Sequence, residues 1–287
     1  MKQLPSSPSL EHLRKEAKSL KRRLEEGESV ACEVVGHFDT SLHGLDRARI
    51  PSIEFHLLDA QRVVARQYGF SSWRRLKLFV DRSSAHAGVD RDSRFQKVLE
   101  EDDQIRRLLR KRREDGSDRE VVRRLRELGA QANAVLEPVY DRHGWPGPDL
   151  IGAEGVDACF HVAANAVYDS QLQARTAELM EAALPEGKIH GFHYVPTVDR
   201  WLALSGRPTL FGTMPGFDAD GRLLFSEDVV DPKNLDVRRA RMGYRSFEAQ
   251  RRAEIERLEG SEDELYPDQA KWYAYKADTA RKGGYVT

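Results

Sequence analysis

The sequence predicts a mainly α fold: a helical N-terminal module, a linker, and a helical domain carrying one small β-hairpin. Three observations lead there. Apolar residues recur at alternating steps of three and four through much of the chain, which places them on one helix face. Breaker clusters rich in Gly, Pro and Ser separate these stretches. Only one place reads as β, two short apolar runs flanking Asp218-Ala219-Asp220-Gly221.

The first helix follows Ser9, which suits an N-cap, with Glu11 in the first turn. Leu10, Leu13, Ala17, Leu20 and Leu24 line its apolar face, and Gly27 ends it. Residues 30–55 are irregular, broken by Gly36, Gly44 and Pro51. A second amphipathic piece carries Leu57, Ala60, Val63 and Val64 and ends at Tyr68-Gly69-Phe70. A short helix then opens at Ser71-Ser72-Trp73, with Trp73, Leu76, Phe79 and Val80 inward. Tyr68, Phe70 and Trp73 read as core anchors in preference to a base-stacking platform.

Small and polar residues over 81–92 mark a boundary. The expected organisation is an accessory module over 1–82, a linker over 83–94 and a functional domain over 95–287. Residues 100–127 are the most charged stretch, with both signs interleaved, and Val121, Leu125, Leu128, Ala132, Val135 and Val139 form an apolar seam. Solvated helices with paired charges account for this pattern. Interleaved acids repel phosphate, which speaks against nucleic acid as a partner.

His143-Gly144-Trp145-Pro146-Gly147-Pro148 is a breaker cluster. Helices are expected over 156–167 and 170–183, the second capped by Asp169. Another, interrupted by Pro196, runs through His193 to Leu204 and stops at Gly206. The hairpin strands are expected at 208–214 and 222–225. Asp231-Pro232 reads as a helix start, with helices around 235–242, 247–258 and 269–280. Ser261 and Glu264 have capping-box spacing, and Trp272, Tyr273 and Tyr275 read as cover for the core.

Composition excludes several classes. There are 46 basic and 47 acidic residues, a net charge of −1, so the chain is no generally basic nucleic-acid binder. No run approaches the roughly 20 apolar residues of a membrane span. The N-terminal stretch lacks the apolar centre and cleavage site of a secretory leader. Cys32 and Cys159 lack metal-type spacing and read as free thiols, so the expected location is cytoplasmic, with no cofactor clearly indicated. G-x-S-x-G, HExxH and P-loop motifs are absent. The stretch 216–221 lacks the spaced acids of an EF-hand and reads as a turn.

Two resemblances add to this reading. The Asp59-Ala60-Gln61 and Tyr68-Gly69-Phe70-x-Ser72-Trp73 hallmarks resemble a small helical module found ahead of ankyrin-repeat and glyoxalase-like bacterial proteins. That resemblance implies an accessory role and a protein partner through the module. From residue 121 to about 250 the chain resembles an uncharacterised bacterial domain. The matching residues are His143-Gly144-Trp145-Pro146, Ile151-Gly152-x-Glu154-Gly155, Asp169-x-x-x-Gln173, Asp199-Arg200, Gly206-Arg207-Pro208 and Leu210-Phe211-Gly212-Thr213. Members of that domain family typically carry Gln-His-Ala-Asp where this chain reads Ala164-Asn165-Ala166-Val167, and glutamines where it has Thr209 and Met214. Asn165 cannot exchange protons near neutral pH as a histidine does, which shifts the expectation toward ligand binding or specialised catalysis.

Several polar residues are candidate site groups. Glu154 reads as a general base or as a carboxylate bonding free N–H groups at a helix start, and Asp169 has the same two roles open. Asp199 and Arg200 are adjacent and need separate partners. Arg200 suits an anionic substrate group or a structural ion pair. His190 and His193 stand one helical turn apart and, with a carboxylate such as Glu154 or Asp199, would resemble a two-His-one-carboxylate metal site. The sequence fixes no third ligand and Gly191 weakens the helix, so no metal is expected. His161 reads as an interior residue, while His143 either lines a cleft beside Trp145 or closes the turn. The leading expectation is a cytoplasmic enzyme acting on a small polar or anionic molecule. Glu154, Asp169 and Asp199 would supply acid/base chemistry, while His143, Trp145, Asn165, Arg200 and Thr213 contact substrate. The contrasting expectation is a non-catalytic ligand- or protein-binding regulator.

Overall fold

A computed structural model describes residues 2–5, 8–43, 45–85, 93–115, 118–166, 169–217, 223–225 and 228–257. Val167, the 218–221 turn, most of the 83–94 linker, the capping box at Ser261 and Glu264, the 269–280 helix and its aromatic residues lie outside the described residues.

The chain is mainly α, with two apolar cores. The first begins with α1 (Leu10–Glu25), where the Ser9 hydroxyl accepts the His12 N–H at 3.4 Å and Leu13, Ala17, Leu20 and Leu24 are buried. Helix α2 (Ser29–Phe38) follows in the stretch expected to be irregular. Gly36 belongs to it because a Cβ there would sit 2.7 Å from Ile50, so the glycine permits close packing instead of ending the helix. Helices α3 (Leu57–Gln67) and α4 (Trp73–Ala85) complete this core, with Tyr68, Phe70 and Phe79 buried between them and their neighbours.

The second core is built by α5 (Ser93–Asp115), α6 (Asp118–His143), α7 (Pro148–Asn165), α8 (Ser170–Ala183) and α9 (Gly191–Leu204). The charged stretch forms α5 and α6. Its described charges pair along the helices, as in Glu127–Arg124 at 2.9 Å and Asp103–Arg107, which suits a solvated face. Helix α7 is broken at Gly152, whose φ of +70° an L side chain resists, so Glu154 falls in the first turn after the break.

Residues 208–214 do not form the expected first strand. Thr209 makes an isolated parallel bridge to Val229, and the backbone beyond it turns its N–H groups onto Asp199. Strands β1 (Pro215–Phe217) and β2 (Leu223–Phe225) pair antiparallel, with Pro215 opposite Phe225. Helices α10 (Leu235–Arg241) and α11 (Phe247–Arg257) close the described chain. Among the described residues no helix is long and apolar enough to cross a membrane.

The two cores meet through backbone as much as side chains. Gly191 N–H donates to the Gly69 carbonyl at 2.6 Å, His37 Nε2 meets the Tyr244 carbonyl at 2.7 Å, and Arg82 pairs with Asp149 at 2.7 Å. Gly243, at φ +83°, lies where a Cβ would overlap the Arg66 carbonyl oxygen. Gly206 has φ +64° but open space around it, so it isolates the backbone penalty. Gly243→Ala is expected to destabilise the protein by about 2 kcal/mol more than Gly206→Ala, the excess arising from overpacking where the cores touch. Urea unfolding of the two variants measures the difference, and equal losses would remove this account.

Candidate functional site

The residues expected to form one cleft are instead distributed through the second core. Asp199 is fully buried on α9. Its Oδ1 accepts the N–H groups of Leu210 and Phe211, both at 2.9 Å, and its Oδ2 accepts the N–H and hydroxyl of Thr213, both at 2.8 Å. Burial pushes its pKa up, against hydrogen bonds that favour the charged form. Asp199 and Thr213 therefore hold the loop over α9 to each other.

A second group surrounds the end of α7. Its last carbonyls have no helical partners and take donors from other elements. Arg200 donates to Ala164 at 2.8 Å, and Gln173 of α8 donates to Ala163 and Ala166. Asn165 donates back to the His161 carbonyl at 2.8 Å. Asp169 caps α8 through Leu172 N–H at 2.9 Å and accepts from Asn133 at 3.0 Å. Glu154 is exposed on α7. Trp145 is buried against Tyr140, and His143 stacks on Phe95 at 5.6 Å.

Polar side chains converge elsewhere, in a cleft of about 380 Å³ between the two cores. Of the residues expected from sequence, only His190 and His193 line it. Helix α7 presents Ala153, Asp157, Phe160 and His161, whose steps of four, three and one keep them on one face. The start of α9 supplies His190, Phe192 and His193, while α5 supplies Arg106. Tyr68 and Phe79 of the N-terminal core form the opposite wall with Lys2, Gln3 and Leu4. Tyr68 and Phe79 thus serve the cleft as well as the core.

Within it, His161 Nδ1 lies 3.0 Å from Asp102 Oδ1, and Arg106 Nε donates to Asp102 Oδ2 at 2.7 Å. Arg106 Nη2 also stands 2.8 Å from His161 Nδ1. A guanidinium only donates, so Nδ1 lies between a donor on Arg106 and an acceptor on Asp102. With its hydrogen given to the carboxylate, Nδ1 faces an Arg106 N–H, and Nε2 is the proton-accepting nitrogen. Burial alone would push Asp102 up, but hydrogen bonds from His161 and Arg106 hold its pKa below the usual value. The carboxylate thus stays charged and orients the ring.

Gly191 opens α9 and His190 is its N-cap, so both His190 and His193 belong to the first turn. A Cβ on Gly191 would overlap the Met242 carbonyl oxygen, so the glycine lets this helix dock. The two imidazole centroids are 4.0 Å apart, and Phe160 stacks on His193 at 4.4 Å. His193 Nε2 lies 3.1 Å from Asp157 Oδ1. Burial lowers the pKa of both histidines, that of His190 well below its ordinary value with His193 adding to the effect, while Asp157 partly opposes the shift at His193. Both rings are neutral donors and acceptors at neutral pH. Cys32 and Cys159 are free and buried, and burial pushes the Cys159 thiol up and makes it inert.

Asp157, His161, Asp102 and Arg106 were not identified from sequence as site residues. The pair Asp157 and His161, four apart on one helix, carried a usable signal. Asp102 and Arg106 did not, because the same spacing recurs through the surrounding charged helices.

A family model described as a family of unknown function (DUF6624) matches residues 90–259, more than half of the 287 residues. The matched segment contains Asp102, Asp157, His161, His190 and His193, and Tyr68 and Phe79 precede it. No curated protein and no solved structure matches the chain.

Proposed function

The chain belongs to the DUF6624 family of unknown function, and from that premise we propose that it is an enzyme acting on a small polar or anionic molecule in the cleft between its two cores. The observation that carries this reading is His161 on the cleft wall, held 3.0 Å from the buried carboxylate of Asp102. A carboxylate-oriented imidazole is a general acid/base group suited to neutral pH. Arg106 on this wall and Lys2 on the opposite one supply positive charge for an anionic group, and the cleft volume suits a small substrate. The acid/base role expected of Glu154, Asp169 and Asp199 thereby moves to His161 and Asp102. The N-terminal module, in this reading, is an accessory that closes the cleft with Tyr68 and Phe79. Its free buried cysteines fit a cytoplasmic setting.

Incubating the protein with a small-metabolite extract and following it by mass spectrometry tests the proposal. One metabolite is expected to be consumed. His161→Gln should slow that turnover by about 100-fold or more, with folding unchanged. No consumption, or equal consumption by the variant, would overturn the reading. A second reading, a ligand-binding protein without turnover, is favoured by the engagement of Asp169 and Asp199 in hydrogen bonds to backbone N–H groups. It predicts a metabolite retained by the protein and returned unaltered.

A further inference from the structure

We infer that Asp157, His190 and His193 form a binding site for a divalent first-row transition-metal cation, a two-His-one-carboxylate centre open to the cleft. One ligand atom from each of the three residues lies within 4.8 Å of the other two. Ligand atoms about 2.1 Å from a shared ion stand roughly 3–4 Å apart, so side-chain rotations of about an ångström close this set. Soft or hard extremes are not called for: two imidazoles and one carboxylate suit zinc, iron or nickel in preference to magnesium or calcium.

A second observation points the same way. His193 is only 7% exposed, yet its Nδ1 has no hydrogen-bond partner among the described residues, and the buried Nδ1 of His190 has none either. Buried nitrogens are ordinarily paired, so an unpaired Nδ1 on each histidine is a ligand atom without a partner, while at His193 the nitrogen that faces the carboxylate is Nε2. The hydrogen bond between His193 Nε2 and Asp157 Oδ1, 3.1 Å long, occupies the space a cation would share by displacing one proton. The surroundings are rigid. Phe160 stacks on His193, while Phe70 and Phe79 of the N-terminal core pack on His190 at 5.7 and 6.0 Å. The same core therefore holds one of the ligands in place.

One term opposes the site. Both histidines lie in the first turn of α9, whose positive end disfavours a cation by roughly fivefold. That is small beside the several decades of affinity that three protein ligands supply.

The site shares its cleft with the proposed enzyme but depends on different atoms, so the test reads the metal directly. The full chain, stripped by chelator, is titrated with Co²⁺ while visible d–d absorption is followed. The expected result is one equivalent bound per chain, with bands of low-coordinate, nitrogen-ligated cobalt. Asp157→Asn, half-exposed and expected to fold, should weaken binding by about 100-fold or more, as should His190→Gln. Folding is verified by circular dichroism. His161→Gln should retain the bands even as it abolishes turnover, so failure of the acid/base reading and failure of the metal site give different results. Absence of stoichiometric binding to the wild-type chain, or bands that survive in both ligand variants, would overturn the inference.

Discussion

Arg239→Met is expected to destabilise the protein by about 4 kcal/mol, the cost of leaving three oxygen acceptors without their charged donor. Arg239 is fully buried on α10, and the described donors of its guanidinium go to carbonyl and amide oxygens: Nε to Arg245 at 2.7 Å, one Nη to Phe211 and the other to Gln250. Tyr244 and Phe247 each place a ring 5.9 Å from its centre. Burial lowers its pKa to about 10, so it remains a cation at neutral pH. Methionine matches the stem but leaves buried acceptors without donors. Lysine keeps the charge and is still expected to lose about 2 kcal/mol, because one flexible ammonium cannot reach three acceptors in a fork. Urea unfolding measures both variants. A lysine variant as stable as the parent would show that charge, not geometry, matters here.

The second large effect is Asp199→Asn, with an expected loss of about 3 kcal/mol. The amide avoids the burial cost of a charge, which works in its favour. It can still accept from Leu210 and Phe211, but its NH₂ then faces two donors of Thr213, and that conflict dominates. Hydrogen exchange at the Leu210, Phe211 and Thr213 amides should accelerate together. Stability within about 0.5 kcal/mol of the parent would return Asp199 to consideration as a site residue. The two positions are also coupled through one residue, since Asp199 takes the Phe211 N–H and Arg239 donates to the Phe211 carbonyl. The double variant should accordingly depart from additivity by about 1 kcal/mol.

Helices α1, α3 and α4 are legible in the chain because burying one face imposes a spacing of three and four that any reader of the sequence can see. Helix α2 is not, because Gly36 reads as a breaker until Ile50 is found against it. The segment 208–214 has strand-like composition, yet a buried carboxylate eleven to fourteen residues earlier captures its amides. Asp169 was read with capping as one of its two roles, and it caps α8. His161 was read as interior, and its ring instead reaches the cleft beside Asp102.

The amino-acid sequence alone determined the mainly helical class, the burial of Tyr68 and Phe70 and the one-turn spacing of His190 and His193, since each depends on neighbours within a few residues. Trp73, expected inward with them, is only partly buried. Only the tertiary structure decided that Asp157 joins those histidines, that Asp102 orients His161, and that Asp199 and Arg200 bind backbone. The physical reason is the partner in each case: a helix face answers to residues in its own chain neighbourhood, whereas a buried carboxylate or guanidinium answers to whichever unpaired groups the packing brings within about 3 Å.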